Sequence, residues 1–68
     1  MVITLNGNRT DLPGPLTVQA LLERLNIDPR IVAVELNGLV VKRLHYGDRL
    51  ITEGAEVEIV NFVGGGQP

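Results

Sequence analysis

Two Asn-Gly dipeptides, Asn6-Gly7 and Asn37-Gly38, constrain the fold of this chain more than any other feature. Each closes an apolar run, and Asn-Gly is the pair best suited to a two-residue turn in which both central residues take positive φ. The first predicts a hairpin from a strand over Val2, Ile3, Thr4 and Leu5 to a returning strand from Asn8 to Leu12. The second predicts a hairpin from Ile31-Val32-Ala33-Val34-Glu35-Leu36 to Leu39-Val40-Val41-Lys42. The run over residues 31–36 is β-branched and almost continuously apolar, which reads as a central strand. Glu35 within it is expected to face outward, because an unpaired carboxylate is costly to bury.

Between the hairpins the pattern changes period. Pro13-Gly14-Pro15 stops the second strand, since a proline nitrogen cannot donate to a ladder. Thr17 offers an N-cap hydroxyl for a helix from Val18 to about Leu25, with Val18, Leu21, Leu22 and Leu25 on one stripe. Asp28-Pro29 ends it. Beyond the second hairpin, residues 43–49 are polar and irregular, with a turn at Gly47-Asp48, and Leu50 and Ile51 are expected to anchor this crossing segment to the core. A turn at Glu53-Gly54 leads into a short final strand over residues 57–62. The order is ββαββ plus a short crossing segment: an α+β fold in which one helix covers one face of a mixed sheet.

Composition narrows what such a fold can do. At 68 residues there is room for one small core and no deep two-lobed cleft, which argues against a self-contained enzyme. The apolar fraction is 44%, yet Phe62 and Tyr46 are the only aromatics, so the core is expected to be Val, Ile and Leu. A net charge of −2 with interleaved signs gives neither a basic field for nucleic acid nor a polybasic membrane patch. The absence of cysteine excludes a disulfide framework, a thiolate nucleophile and a Cys-based metal site. His45 lies in a polar turn region with no second ligand evident, and reads as a solvated loop residue rather than a metal ligand or base. Neither a signal peptide nor a transmembrane run is evident, so the expectation is a soluble, cytoplasmic, monomeric protein with no catalytic residue and no bound cofactor.

The segment Phe62-Val63-Gly64-Gly65-Gly66-Gln67-Pro68 is where chemistry concentrates. A glycine run makes a thin, flexible leash, so the chain divides into a folded domain over residues 1–63 and a flexible tail over residues 64–68. If Gln67 and Pro68 are absent or removed, the leash carries the Gly66 carboxylate, with roughly 10 Å of backbone to take it into a partner cleft. Strand alternation puts Val57 and Ile59 on one face, and Glu58, Val60 and Phe62 on the other. Val60 and Phe62 then form an apolar docking patch beside the tail, unless the loop from Lys42 to Arg49 covers them. Lys42 and Arg43 are candidate contacts for acidic residues of a partner, or ordinary solvated charges.

The chain order, the Val34-Glu35-Leu36-Asn37-Gly38 hairpin entry, Leu50 with Glu53-Gly54 and Val57-Glu58-Ile59-Val60, and above all Phe62-Val63-Gly64-Gly65-Gly66 resemble the ThiS family of sulfur carriers in thiamine biosynthesis. The resemblance covers the chain up to Gly66 and implies the ubiquitin-like β-grasp fold and a role as co-substrate rather than catalyst. It further implies that a ThiF-type enzyme, using ATP and magnesium, adenylates Gly66. Sulfur drawn from cysteine through a desulfurase then makes a glycyl thiocarboxylate, which thiazole synthase, ThiG, consumes, while Gly64 and Gly65 thread the partner channel. Diglycine ends also occur in the small subunit of molybdopterin synthase and in ubiquitin-like modifiers, and these are the alternative readings, with a structural adaptor beside them. One departure stands out: Gln67-Pro68 follows the glycine at which mature members end. Either a processing peptidase removes it, or this form is inactive, or the two residues are not native.

Overall fold

The structure, a computed structural model, describes residues 1–62. The boundary expected at residue 63 and the tail over residues 64–68 lie outside the described residues. Both Asn-Gly turns form, with φ of 50° and 83° at Asn6 and Gly7 and of 52° and 86° at Asn37 and Gly38. Both central residues of each turn are therefore left-handed, as a type I′ turn requires. The first turn joins β1 (Val2–Leu5) to β2 (Asn8–Asp11), and the second joins β4 (Val32–Leu36) to β5 (Leu39–Val41).

The helix α1 (Val18–Arg24) begins where the sequence placed it. Thr17 Oγ1 accepts from the Ala20 amide at 3.1 Å, the expected N-cap bond. Two further first-turn amides, of Val18 and Gln19, donate to the Arg49 and Tyr46 carbonyls, so the crossing segment satisfies donors that the helix leaves free. At the other end Asn26 takes φ 59°, the Ile27 amide donates to the Leu22 carbonyl, and the Asn26 amide donates to the Glu23 carbonyl. That Schellman arrangement stops the helix before Asp28-Pro29 is reached. Seven residues are too few for a helix that stands alone in water, so packing of Val18, Leu21 and Leu22 must hold it. Leu25, expected on the same stripe, is 37% exposed, because the chain leaves helical angles just beyond it.

Asp28 opens a short 3-10 turn (Pro29–Ile31) and grips Arg30 with both carboxylate oxygens as well as through the Arg30 amide. These hydrogen bonds, side chain first and backbone second, hold the Asp28 carboxyl at about 2.

The crossing segment contributes more than its polarity suggested. Tyr46 is fully inside the core, with its hydroxyl directed at the Val32 carbonyl, so the core is not purely aliphatic. Strand β6 (Leu50–Ile51) pairs with β3 (Leu16–Thr17) in a separate two-stranded ladder that the sequence did not reveal. Ile51 anchors this segment as expected, whereas Leu50 points outward and is 51% exposed.

The last strand, β7 (Glu56–Asn61), is the longest and occupies the middle of a five-stranded sheet of order β2-β1-β7-β4-β5. The run over residues 31–36 is therefore interior but not central. Its outer face is also uncovered: Val32, Val34 and Leu36 are buried while Ala33 is exposed and Glu35 half-buried, in the outward orientation expected. β7 runs parallel to β1 and antiparallel to β4, which makes the sheet mixed. The helix covers one face, where Ile3, Val34, Val41 and Val57 meet Val18, Leu21 and Leu22 in a common core. This is the ubiquitin-like β-grasp fold. Among the described residues no helix is long and apolar enough to cross a membrane.

Both turn asparagines also bind β7. Asn37 Oδ1 accepts from the Glu56 amide at 2.9 Å, and Asn6 Oδ1 accepts from the Ile59 amide at 2.8 Å. Asn37→Ala should destabilise the fold by about 1–2 kcal/mol in urea unfolding, through the lost bond and the left-handed backbone, whereas Asn8→Ala should stay within about 0.5 kcal/mol. For Asp28 the sign follows from its depressed value: its contribution is intact above its ordinary pKa of 3.8 and is lost as pH falls towards about 2. NMR titration of the Asp28 carboxyl should give a midpoint near that value, and Arg30→Ala should raise it only part of the way towards the ordinary carboxylate range, because the amide of residue 30 still donates to it.

Candidate functional site

Cross-strand partners share a face, so the register identifies what the uncovered side of the sheet presents. Ala33 stands opposite Val60, Glu35 stands between Val40 and Glu58, and Thr4 stands between Arg9 and Glu56. None of these side chains is covered by the helix, and Val40 and Val60 are 68% and 54% exposed. Phe62 continues the alternation one step further and is 53% exposed. The loop over residues 42–49 therefore does not cover Val60 or Phe62. It packs towards the other side of the sheet, where Tyr46 enters the core and bonds the helix start. The outward reading of Val60 and Phe62 holds, and Ala33 and Val40 extend their patch.

The end of the described chain is tied down. The Phe62 amide donates to the Ile31 carbonyl at 3.1 Å, so the ladder between β7 and β4 reaches the last described residue. Ile31 ends the turn that carries Asp28 and Arg30, and the Arg43 guanidinium is near enough to add to the lowering of the Asp28 carboxyl. Cations thus gather where the chain leaves the sheet. Arg43 is exposed there, and Lys42 directly follows Val41, the partner of Val34, which puts it next in register to Ala33. Neither Lys42 nor Arg43 forms an ion pair within the described residues. Gly64, Gly65 and Gly66, expected to thread a partner and carry the reacting group, and Gln67-Pro68 after them lie outside the described residues.

The opposite end of the same face is acidic. Glu35, Glu56 and Glu58, with Thr4, Gly7, Gly38 and Val57, line a groove of about 240 Å³ between the two Asn-Gly turns. Sequence reasoning put Glu58 on the open face but did not single out this grouping, because it depends on β7 lying between β1 and β4. No three His, Cys, Asp or Glu side chains among the described residues come together as a metal site. His45 faces Asp48 at 3.6 Å and is partly exposed, as a solvated loop residue would be. With a short exposed apolar patch and charged ends, this face has the chemistry of a surface that can bind another protein.

Residues 3–66 match the model of the ThiS family. The chain is 39% identical over 66 residues to a thiazole synthase of Paramagnetospirillum magneticum and 42% identical over 67 residues to one of Magnetococcus marinus, covering 97% and 98% of this chain. It spans about a fifth of the length of either relative, 20% and 21%. It is also similar to the crystal structure of the thiamine biosynthesis protein ThiS from Geobacter metallireducens, at 36% identity and a TM-score of 0.85, over 97% of this chain and 100% of that one.

Because Phe62 is half-exposed and its sheet bond is made by backbone alone, Phe62→Ala should lower the unfolding free energy by less than about 1 kcal/mol. A loss of about 3 kcal/mol in urea unfolding would instead mark it as a core residue.

Proposed function

The chain belongs to the ThiS family, and from that premise we propose that it is a sulfur carrier for the thiazole ring of thiamine, a protein co-substrate rather than an enzyme. The observation that carries this reading is the open sheet face, with Val60 and Phe62 exposed at its end and the chain continuing directly into Gly64-Gly65-Gly66. The family match runs through Gly66 and leaves Gln67-Pro68 outside it.

The chemistry requires a free carboxylate. Gly66 is amide-linked to Gln67, so a peptidase must first hydrolyse that bond. The Gly66 carboxylate is a poor electrophile; attack by its oxygen on the α-phosphate of ATP, in a ThiF-type enzyme with magnesium, displaces pyrophosphate and gives an acyl-adenylate. The terminal sulfur of a desulfurase persulfide, drawn from cysteine, then attacks the acyl carbon and AMP leaves, giving an acyl disulfide; attack of a thiol on the donor's own sulfur breaks the S–S bond, forms a new disulfide with the donor and releases the thiocarboxylate. Thiazole synthase takes the sulfur from it.

Each part of the chain has a physical role in that sequence. Gly64 and Gly65 lack a Cβ, which lets the backbone pass an enclosed channel where a side chain would hold the acyl carbon away from its nucleophile. Val60 and Phe62 dock the carrier beside the channel mouth, and Lys42 and Arg43 face acidic residues around it. The bond from Phe62 to Ile31 fixes the root of the tail, so docking of the sheet determines where the tail starts.

Intact-protein mass spectrometry of the chain isolated from its own cells tests this. The expected result is a species ending at Gly66 together with one heavier by an oxygen-to-sulfur exchange. Protein ending only at Pro68, even under thiamine starvation, would overturn the reading.

A further inference from the structure

Leu5-Asn6-Gly7 and Leu36-Asn37-Gly38 repeat one tripeptide, so their intrinsic reactivity is matched and only the fold distinguishes them. An asparagine followed by glycine is open to attack from its own backbone: the glycine nitrogen, with no side chain beside it, can reach the asparagine Cγ and close a five-membered ring. The other asparagines, Asn8, Asn26 and Asn61, precede Arg9, Ile27 and Phe62, whose side chains crowd that nitrogen. Both Asn-Gly turns are exposed, and a Cβ at Gly7 or Gly38 would meet nothing within 4 Å, so water reaches both sites.

What differs is how each side chain is held. Ring closure needs Cγ to swing over the following nitrogen, and a side chain bonded to β7 is kept from swinging. Asn6 grips Ile59 with both ends of its amide: Oδ1 accepts from the Ile59 amide at 2.8 Å, and Nδ2 donates to the Ile59 carbonyl at 3.4 Å. Ile59 lies inside β7, paired with Val34. Asn37 is held to Glu56, the first residue of β7, by Oδ1 alone, at 2.9 Å. Its Nδ2, the group that must leave, has no partner among the described residues. The backbone amides of both asparagines also bond β7, at 2.8 and 2.7 Å, so they do not separate the two sites.

We propose that Asn37 is a site of spontaneous deamidation and isoaspartate formation, and that Asn6, with the same neighbours in sequence, is protected from it by β7. The inference is independent of the carrier reading. The Gly38 nitrogen bonds to Asn37 Cγ, the Cγ–Nδ2 bond breaks, and the proton lost from the Gly38 nitrogen is made up, through water, on the departing ammonia. Water then opens the succinimide. Cleavage at Cγ leaves aspartate at position 37, and cleavage at the backbone carbonyl carbon leaves isoaspartate, in which the main chain runs through Cγ and is lengthened. Aspartate keeps the acceptor that the Glu56 amide uses. Isoaspartate does not fit a two-residue turn whose register, Leu36 opposite Leu39, is fixed by the ladder, and so it loosens the start of β7.

The experiment ages the full chain at mildly alkaline pH, folded and in concentrated urea, and follows both sites by peptide mass spectrometry, which reads the amide-to-acid change and separates isoaspartate from aspartate. Protection is the rate in urea divided by the rate in the folded chain. Protection of Asn6 should exceed that of Asn37 about fivefold, the order of factor that one further hydrogen bond supplies. In Asn37→Asp the main acidic product of ageing should disappear, and that variant should have a higher Tm than the isoaspartate form purified from the aged chain. Equal protection at the two sites, or greater protection of Asn37, would overturn the proposal. So would folded rates equal to those in urea at both sites, since the bonds to β7 would then hold neither side chain back.

Discussion

The insertion of β7 between β1 and β4 is the interaction on which the rest of the structure depends. The two hairpins do not pair with each other, and only the last strand joins them into one sheet. It does so by a parallel ladder on one side, in which the Thr4 amide donates to the Ala55 carbonyl and the Asn6 amide to the Val57 carbonyl, and by a longer antiparallel ladder on the other. The asparagines of the turns bind its backbone from both sides. Val57, 1% exposed, closes the core from the same strand, and burial of a Val of that kind contributes roughly 1.5–3 kcal/mol. The contacts with β1 and its turn join residues about fifty positions apart and those with β4 and its turn about twenty to thirty, so each carries a loop-closure cost that tight hairpins do not.

This topology also decides where the chain leaves the sheet. A chain that ends on an edge strand would leave its terminus beside solvent at the rim. Here the chain leaves from the centre of the sheet, next to an uncovered face, with its root held by the bond from Phe62 to Ile31. The single helix makes this possible by covering one side only: Val18, Leu21 and Leu22 satisfy the inner face, and nothing in residues 1–62 covers the outer one.

The agreement between local pattern and fold was greatest where few residues decide. Asn6-Gly7, Asn37-Gly38, Thr17 and the alternation of Val57 to Phe62 each behaved as their own chemistry requires. The departures share one cause. Leu25 and Leu50 were apolar and read as core, yet lie exposed, because a helix stop at Asn26 and the pairing of β6 with β3 turned them outward. Tyr46 was hidden among polar neighbours and is buried, because its segment crosses the helix start. The final strand read as a short closing element and is the longest and central one. The exposure of Val60 and Phe62 on the open face was legible from period-two alternation. The acidic groove was not, since Glu35 and Glu58 are neighbours only through the register of β4 with β7.

What the sequence determined by itself is the set of local choices: turns where two residues must take positive φ, a helix start where a hydroxyl can cap free amides, and strands where side chains alternate. These follow from the covalent geometry of a few adjacent residues, and no distant contact is needed to state them. What only the tertiary structure decided is which strands neighbour which, and so which side chains face one another across them. That ordering is the outcome of pairing segments far apart in the chain, where hydrogen bonds are equally available to several partners and burial of the whole core selects one.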